Sequence, residues 1–184
     1  MIIGITGTIG SGKDEIAKFL SSYFNLPIVK LSDIIKIFLP DKNFDRKKLQ
    51  DLGNELRENF GNNILVRIVT FFYKDNVIID GLRNIGEVEY LRKNFKNFLL
   101  IGVDADLQIR FERIKKRARE DDPKTLEEFI EADKRDRGVN EPEYGQGTEA
   151  CLNLADIKIL NNKDLEEVKK KLIFEVSHIL EKLS

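Results

Sequence analysis

Gly7-Thr8-Ile9-Gly10-Ser11-Gly12-Lys13-Asp14 is the stretch that decides the fold of this chain. It follows a short apolar run that ends at Ile5 and precedes a helical pattern that begins at Glu15. A strand, a glycine-rich turn, a lysine and a helix are the parts of a phosphate-binding loop. The glycines let successive backbone N–H groups point at an anion, and the helix adds its positive N-terminal end. The stretch therefore predicts a polyphosphate site in which Lys13 reaches the outer phosphates.

Asp14 is the one departure from the usual pattern of such a loop. It stands where Ser or Thr usually holds Mg²⁺. A carboxylate is also a hard oxygen ligand, so we expect metal binding to be kept. The alternative is a glycine-rich turn that holds nothing, but the flanking strand and helix favour the functional interpretation.

The composition excludes several classes of protein. The 184 residues, 41% of them hydrophobic, are enough for a sizeable core, and we expect a single domain over 1–184. A formal net charge of −1 offers no basic field, so we expect no nucleic-acid partner. No apolar run approaches the ~20 residues that span a bilayer, so we expect no membrane partner. The single cysteine, Cys151, excludes an intramolecular disulfide and agrees with a cytoplasmic location.

Apolar runs alternate with helical patterns along the whole chain. Runs that are apolar at every position are typical of parallel strands, which are buried on both faces. We predict five such strands, near residues 1–5, 26–31, 77–80, 98–103 and 156–160. Helices are predicted near 15–23, 32–39, 46–60, 63–73, 83–92, 104–119, 126–137 and 165–183.

Two acidic residues lie just past the ends of predicted strands, where open parallel sheets bind their ligands. Asp80 closes the third strand and is followed by Gly81 and Arg83, and an acid at this place in a phosphate-loop protein commonly orders Mg²⁺. Asp33 follows the second strand, and Ser32-Asp33 can equally cap the next helix. We regard Asp80 as a metal-site candidate and leave both interpretations of Asp33 open.

Three arginines recur at helical spacing in the predicted helix 104–119. Arg110, Arg113 and Arg117 form a stripe beside the apolar face of that helix. A solvated basic face is the plain interpretation. Guanidinium groups are also what phosphoryl transfer needs to neutralise developing charge. Farther along, three glycines and one proline within 138–147 predict a mobile loop.

Together these residues resemble P-loop kinases of the nucleoside monophosphate kinase type, over essentially the whole chain. Three pieces are similar to deoxynucleoside monophosphate kinases: Gly12-Lys13-Asp14, then Leu49-Gln50-x-x-Gly53 with Arg57 and Gly61, and Asp80-x-x-Arg83-x-x-x-Glu87. Other pieces are similar to archaeal-type relatives of dephospho-CoA kinase: Val77 to Arg92, Arg110-Phe111-Glu112-Arg113 and Glu120-Asp121-Asp122-Pro123.

The resemblance implies a three-layer α/β/α P-loop kinase fold with a five-stranded parallel sheet. It implies ATP and Mg²⁺ as cofactors, an acceptor-binding region at about 32–73 and a lid at about 115–148. Carried over by position, Gly7 to Asp14 hold ATP, and Asn161 lies where such kinases contact the adenine. Arg57 and Arg83 would grip an acceptor phosphate.

Three further residues receive catalytic roles from the same resemblance. Arg113 and Arg117 would act as lid arginines beside Lys13, and Asp33 would orient or deprotonate the acceptor. The partner is then a small nucleotide acceptor, and the protein is a monomer or a homodimer. Three activities follow from the sequence: transfer to a (deoxy)nucleoside monophosphate, dephospho-CoA kinase-like transfer to a sugar hydroxyl, and a nucleotide-binding switch or ATPase without an acceptor.

Overall fold

A computed structural model of the chain describes residues 1–39, 45–119, 122–162 and 165–183. Residues 40–44 of the predicted acceptor region and Glu120-Asp121 of the predicted lid lie outside the described residues. The described strands are β1 Ile2–Gly7, β2 Ile28–Lys30, β3 Val77–Asp80, β4 Phe98–Asp104 and β5 Ile157–Leu160. The described helices are α1 Lys13–Phe24, α2 Leu31–Ile37, α3 Arg46–Phe60, α4 Ile64–Phe72, α5 Ile85–Asn94, α6 Leu107–Arg117, α7 Leu126–Arg137, α8 Thr148–Asn153 and α9 Leu165–Leu183.

The five strands form one parallel sheet in the order β2-β3-β1-β4-β5. Successive residues of each strand face opposite sides, so the sheet has two apolar faces. On one side Ile3 and Ile5 pack with α1 and α9, and on the other Ile2 packs with α3, α4, α5 and α8. The predicted three-layer fold with five parallel strands is therefore confirmed.

Several element bounds differ from the predictions for local reasons. α6 begins at Leu107 because β4 extends to Asp104, which pairs with Leu160. It ends at Arg117 because Ala118 takes a left-handed conformation with φ 46°. The helix after β2 begins at Leu31 with Lys30 at its N-cap and no side-chain cap, so the expected cap at Ser32-Asp33 is wrong. Helix α8 was not predicted, since its six residues are too few for a visible period.

The carboxyl ends of β1 and β3 define where a ligand can lie. The connection from β1 to β2 contains α1 and crosses one face of the sheet. The connection from β3 to β4 contains α5 and crosses the other face. The connections therefore diverge between β1 and β3, and open parallel sheets bind ligands in the crevice at such a point. The stretch from Gly7 to Lys13 and the segment from Asp80 to Arg83 both lie there. Among the described residues, no helix has the length and apolar character needed to cross a bilayer.

Candidate active site

The glycine-rich loop is shaped by two glycines in the left-handed region. Gly10 has φ 78° and Gly12, the N-cap of α1, has φ 88°. A Cβ on Gly10 would lie 2.7 Å from the carbonyl oxygen of Arg110, and one on Gly12 would lie 2.5 Å from Nδ2 of Asn161. Both positions therefore require glycine for backbone conformation and for space. The arrangement confirms the expected strand, turn and helix.

Side chains from α6 and from the end of β5 fix the loop through its carbonyl oxygens. Arg110 Nη1 donates to Ile9 O at 3.1 Å, and Arg113 Nη1 donates to Ser11 O at 3.2 Å. Asn161 Nδ2 also donates to Ser11 O, at 2.8 Å. Because these donors satisfy carbonyl oxygens on the outside of the turn, the loop is held in shape before any phosphate binds.

Arg110 belongs to a larger buried network behind the loop. It is 2% exposed, and its Nη1 and Nη2 donate to the two carboxylate oxygens of Asp133 at 2.5 and 2.9 Å. Its Nε donates to Ala105 O at 2.8 Å. Arg137 donates to Asp133 and also to Asp104, which accepts from Thr8 Oγ1 at 2.6 Å. Helix α7 is thus joined by charged hydrogen bonds to the phosphate-binding loop.

Lys13 and Asp14 begin α1 side by side. Lys13 Nζ lies 2.6 Å from Asp14 Oδ1 and 4.0 Å from Asp80 Oδ1, while Lys30 Nζ lies 3.4 Å from Asp14 Oδ2. Burial opposes the charge of Asp14, but Lys13 and Lys30 outweigh it and hold the pKa of that carboxyl well below its usual range. Asp14 is therefore an ionised oxygen donor next to the lysine that the motif assigns to the phosphates.

Asp80 is the buried acid at the end of β3. It is 3% exposed, and its Oδ1 has no hydrogen-bond partner among the described residues. Burial raises the pKa of Asp80, and the neighbouring Lys13 opposes that rise. An unsatisfied carboxylate oxygen beside a phosphate-binding lysine fits a hard cation, so Asp14 and Asp80 are suitable donors for Mg²⁺.

Two further guanidinium groups, a buried one on α3 and a partly exposed one in the segment after β3, line the same region. Arg57 of α3 is 1% exposed, and its Nε and Nη2 lie 3.0 and 2.9 Å from Glu87 Oε1, while its Nη1 has no partner among the described residues. Arg83 contacts the fully buried Asp136 of α7. Burial lowers the pKa of Arg83 to about 10, and the neighbouring Arg46 and Arg57 add to that effect. Arg83 therefore remains charged at neutral pH.

One cleft of about 820 Å³ joins these groups. It extends from the phosphate-binding loop to α2, α3 and the segment after β3, and the candidate residues that line it include Lys13, Asp14, Asp33, Arg57, Asp80, Arg83, Arg113, Arg117 and Asn161. Of the candidates near the loop, Gly7 does not line it: it is the last residue of β1, and a Cβ there would lie 2.5 Å from Val103 O. The tertiary structure thus brings together stretches that are distant in sequence, from Thr8 to Asn161.

Three predicted residues have partners that differ from their expected roles. Asp33 is mostly exposed and pairs with Lys36 at 2.7 Å, although it lines the cleft. Arg117 binds Asp122 through two hydrogen bonds of 2.7 and 2.5 Å. The side-chain amide nitrogen of Asn161 donates to Ser11 O, and its buried Oδ1 has no partner among the described residues. Their catalytic and adenine-binding roles stay predictions.

The segment 138–147 is held by many hydrogen bonds, contrary to the expectation of a mobile loop. Asn84 Nδ2 donates to Glu143 O and Gly145 O at 2.8 and 3.0 Å, and Gly147 N donates to Arg83 O at 2.6 Å. Glu141 accepts from Asn54 at 2.7 Å. The segment therefore forms a wall beside α3, and the sequence indicated its importance only through its unusual composition.

Sequence reasoning missed the carboxylates that hold the arginines. Asp133 and Asp136 of α7 are 5% and 0% exposed, and Glu87 of α5 is also fully buried. Glu87 was noticed only as part of a resemblance. Their helical spacing could have indicated this burial. Asp133 and Asp136 lie four and seven residues after Phe129, which is fully buried on the same helix.

Comparisons with known proteins agree with this architecture. A sequence profile described as an AAA domain matches residues 3–136. The UPF0200 protein of Methanocaldococcus jannaschii is 33% identical over 192 residues, covering all of this chain and 92% of that protein. The UPF0200 protein of Pyrococcus horikoshii is 33% identical over 191 residues, covering 98% of each chain.

Solved kinases share the fold at low sequence identity. Shikimate kinase from Aquifex aeolicus superposes with a TM-score of 0.59 at 17% identity, covering 98% of each chain. A gluconokinase from Sinorhizobium meliloti has a TM-score of 0.58 at 12% identity, covering 98% of this chain and 94% of that one. These similarities bear on the fold, whereas the profile match and the UPF0200 relatives cover most of the sequence. The chain is a P-loop protein with a kinase-like fold, and it belongs to the UPF0200 family and contains an AAA domain.

Proposed function

We propose that this protein transfers the γ-phosphoryl group of ATP to a (deoxy)nucleoside monophosphate. One observation carries the proposal: a single cleft has the lysine of a phosphate-binding loop at one end and two guanidinium groups at the other, the buried one of Arg57 and the partly exposed one of Arg83. The first end fits the polyphosphate of a donor nucleotide, and the second fits the phosphate of an acceptor. A site for two anions is what a kinase with a phosphorylated acceptor requires.

The reaction asks the protein mainly to align two anions and to neutralise charge. Backbone N–H groups of the loop and Lys13 would bind the β- and γ-phosphates of ATP. Asp14 and Asp80 are the residues that would hold Mg²⁺. When bound, this ion polarises phosphate oxygens and offsets the charge that develops on them. Arg113 donates to Ser11 O of the loop and to Asn161 O, and it would neutralise charge on the transferred group from this side of the loop.

The acceptor phosphate would bind between α3 and the start of α5. Arg57 already has Glu87 as a partner, and Arg83 has Asp136, so both cations are held in position without a ligand. Nη1 of Arg57 keeps an unused N–H donor for a phosphate oxygen. A phosphate monoester arrives largely deprotonated, so transfer to it needs no strong base.

Transfer to a sugar hydroxyl, as in dephospho-CoA, is the second candidate. The observation in its favour is that Asp33 lines the cleft and could act as a general base. Its exposure and its ion pair with Lys36 weigh against that role in the present conformation. A switch or ATPase without an acceptor would leave Arg57 and Arg83 without a ligand.

A coupled ADP-release assay with Mg-ATP tests the proposal. The acceptor panel contains all ribo- and deoxynucleoside monophosphates and dephospho-CoA, and Lys13→Met is the inactive control. We expect strong stimulation by one or a few monophosphates. Stimulation by dephospho-CoA alone would replace the proposal with the second candidate, and slow hydrolysis that no acceptor stimulates would favour the switch or ATPase.

A further inference from the structure

The wall formed by residues 138–147 contributes a glutamine to the cleft. Gln146 is 4% exposed and lines the cleft, and its side-chain oxygen Oε1 is buried without a hydrogen-bond partner among the described residues. A buried amide oxygen without a partner costs free energy, so such an atom in a cleft indicates a ligand group that pairs with it.

A chain of hydrogen bonds fixes which atom of this amide is unused. Burial opposes the charge of Glu141, but hydrogen bonds from Asn54 and Arg135 outweigh it and lower the pKa of that carboxyl. An ionised carboxylate only accepts, so Asn54 must turn its Nδ2 to Glu141 Oε2, at 2.7 Å. The Oδ1 of Asn54 then accepts from Gln146 Nε2 at 3.2 Å. The oxygen of Gln146 is therefore the atom left for a ligand, and its orientation follows from the charge of Glu141.

The face of α3 that lines the cleft offers complementary groups. Gln50 and Arg57 are seven residues apart and so lie on one face, two helical turns from each other. Both line the cleft, and each has one buried nitrogen without a partner, Nε2 of Gln50 and Nη1 of Arg57. A phosphate at Arg57 would leave the rest of the acceptor to extend along α3 toward Gln50. Arg57 thus suits the charged end of a ligand, and the two glutamines suit an uncharged part of it that carries a donor and an acceptor atom.

We infer that the Gln146 oxygen, oriented by Glu141 through Asn54, selects nucleoside monophosphates whose base presents an N–H group to the cleft. The inference rests on the proposed function, since it concerns the same acceptor. Gln146 acts here as a specificity-determining residue that binds the base edge. A ligand with a phosphate but no N–H donor, such as ribose 5-phosphate, would leave the amide oxygen unpaired.

The test removes the N–H group from the base of the ligand, or the side-chain oxygen from Gln146, and compares the resulting values of kcat/KM. The best monophosphate of the panel is paired with an analogue whose base lacks the edge N–H: a purine riboside monophosphate for adenosine monophosphate, or a ring-N-methylated base for uridine or thymidine monophosphate. In the native protein we expect the analogue to lose about tenfold or more in kcat/KM, the cost of an unpaired buried polar group. In Gln146→Met the two ligands should differ by less than about threefold, because the oxygen is gone.

Two further variants separate recognition from loss of structure. Like Gln146→Met, Gln146→Glu loses the N–H donor to Asn54, but it keeps an oxygen toward the cleft. It should therefore retain the preference for the ligand over its analogue, which Gln146→Met loses. Gln108→Met on the exposed face of α6 is the matched control and should keep the native ratio. Binding of ATP is measured for each variant to show that the loop is intact. Equal discrimination in Gln146→Met and the native protein would overturn the inference, as would its equal loss in both Gln146 variants.

The same ligand pairs are measured by calorimetric binding without ATP, which distinguishes the inference from the proposed function. If monophosphates bind but none is phosphorylated, the proposed kinase activity fails, and the binding ratios still decide the role of Gln146. If no monophosphate binds, the inference is overturned even if another acceptor stimulates ADP release.

Discussion

Removing Arg110 should weaken both the fold and the affinity for ATP, although Arg110 lies behind the phosphate-binding loop. Its guanidinium makes two hydrogen bonds to Asp133, one to Ala105 O and one to Ile9 O, and its Cζ lies 5.3 Å from the Phe129 ring centre. We expect Arg110→Met to lower the free energy of unfolding by about 3 kcal/mol. This is the low end for breaking a buried ion pair, because Arg137 still neutralises Asp133.

The effect on ATP follows from the bond to the Ile9 carbonyl. Without its donor at 3.1 Å, the loop keeps the anchors on Ser11 and the bond from Thr8 to Asp104 but loses the one on Ile9, and we expect the Kd for ATP to rise about tenfold, which corresponds to about 1.4 kcal/mol. Urea unfolding and calorimetric ATP binding measure the two effects. The exposed Lys116→Met on the same helix is the matched control and should change neither.

A double-mutant cycle with Asp133→Asn tests the reasoning directly. Asp133→Asn alone leaves the buried Arg110 with only the more distant carboxylate of Asp104, at 3.6 Å, whereas the double variant removes both members of the close pair. We therefore expect the double variant to cost at least about 1 kcal/mol less than the sum of the single variants. Additive costs, or an unchanged Kd for ATP in Arg110→Met, would refute the view that this pair supports the loop.

Three more predictions concern single residues of the site and the core. Burial raises the pKa of Asp80 above its ordinary value of 3.8. Between these two pKa values the folded state binds more protons than the unfolded state, so the stability that this group contributes falls as the pH rises. Asp80→Asn should therefore gain stability relative to the native protein through that window in thermal unfolding, and a pH-independent difference would contradict this. Arg57→Met should raise the acceptor KM about tenfold or more with little change in the ATP KM, and an equal rise in both would place Arg57 outside the acceptor site. Cys151 is fully buried, and burial raises the pKa of its thiol to about 12, so a chromogenic thiol reagent should label it only after unfolding, and rapid labelling of the native protein would be the contrary result.

Local pattern was enough to predict the sheet and most of the helices. Strands such as Val77–Asp80 are apolar runs that end in a turn, and α3 and α7 begin and end at the residues that their periodicity indicated. The six-residue α8 escaped notice because it is shorter than two turns and is defined by its packing on β1, β4 and α7. Periodicity is a property of a segment, so it identifies long segments and misses short ones.

The arginines show where local pattern stops being informative. Arg110, Arg113 and Arg117 have the same helical spacing, but one binds a buried carboxylate, one binds loop carbonyls and one binds Asp122. The spacing placed them on one side of α6 and could not identify what packs against that side. Partners of Arg110 and Arg113 come from α7 and from the end of β5, which are distant from α6 in sequence.

The phosphate-binding loop, the parallel sheet and the chemical types of the candidate residues follow from the amino-acid sequence, because each depends on contiguous residues and on backbone conformation. Which charges pair, which atoms stay unsatisfied and which residues share the cleft follow only from how the elements pack. Gln146 and Arg57 illustrate the difference: 89 positions separate them in the chain, and only the packing of the segment 138–147 against α3 brings both to the same cleft. Pairing across such distances depends on the summed packing of all layers, which no local stretch of sequence encodes.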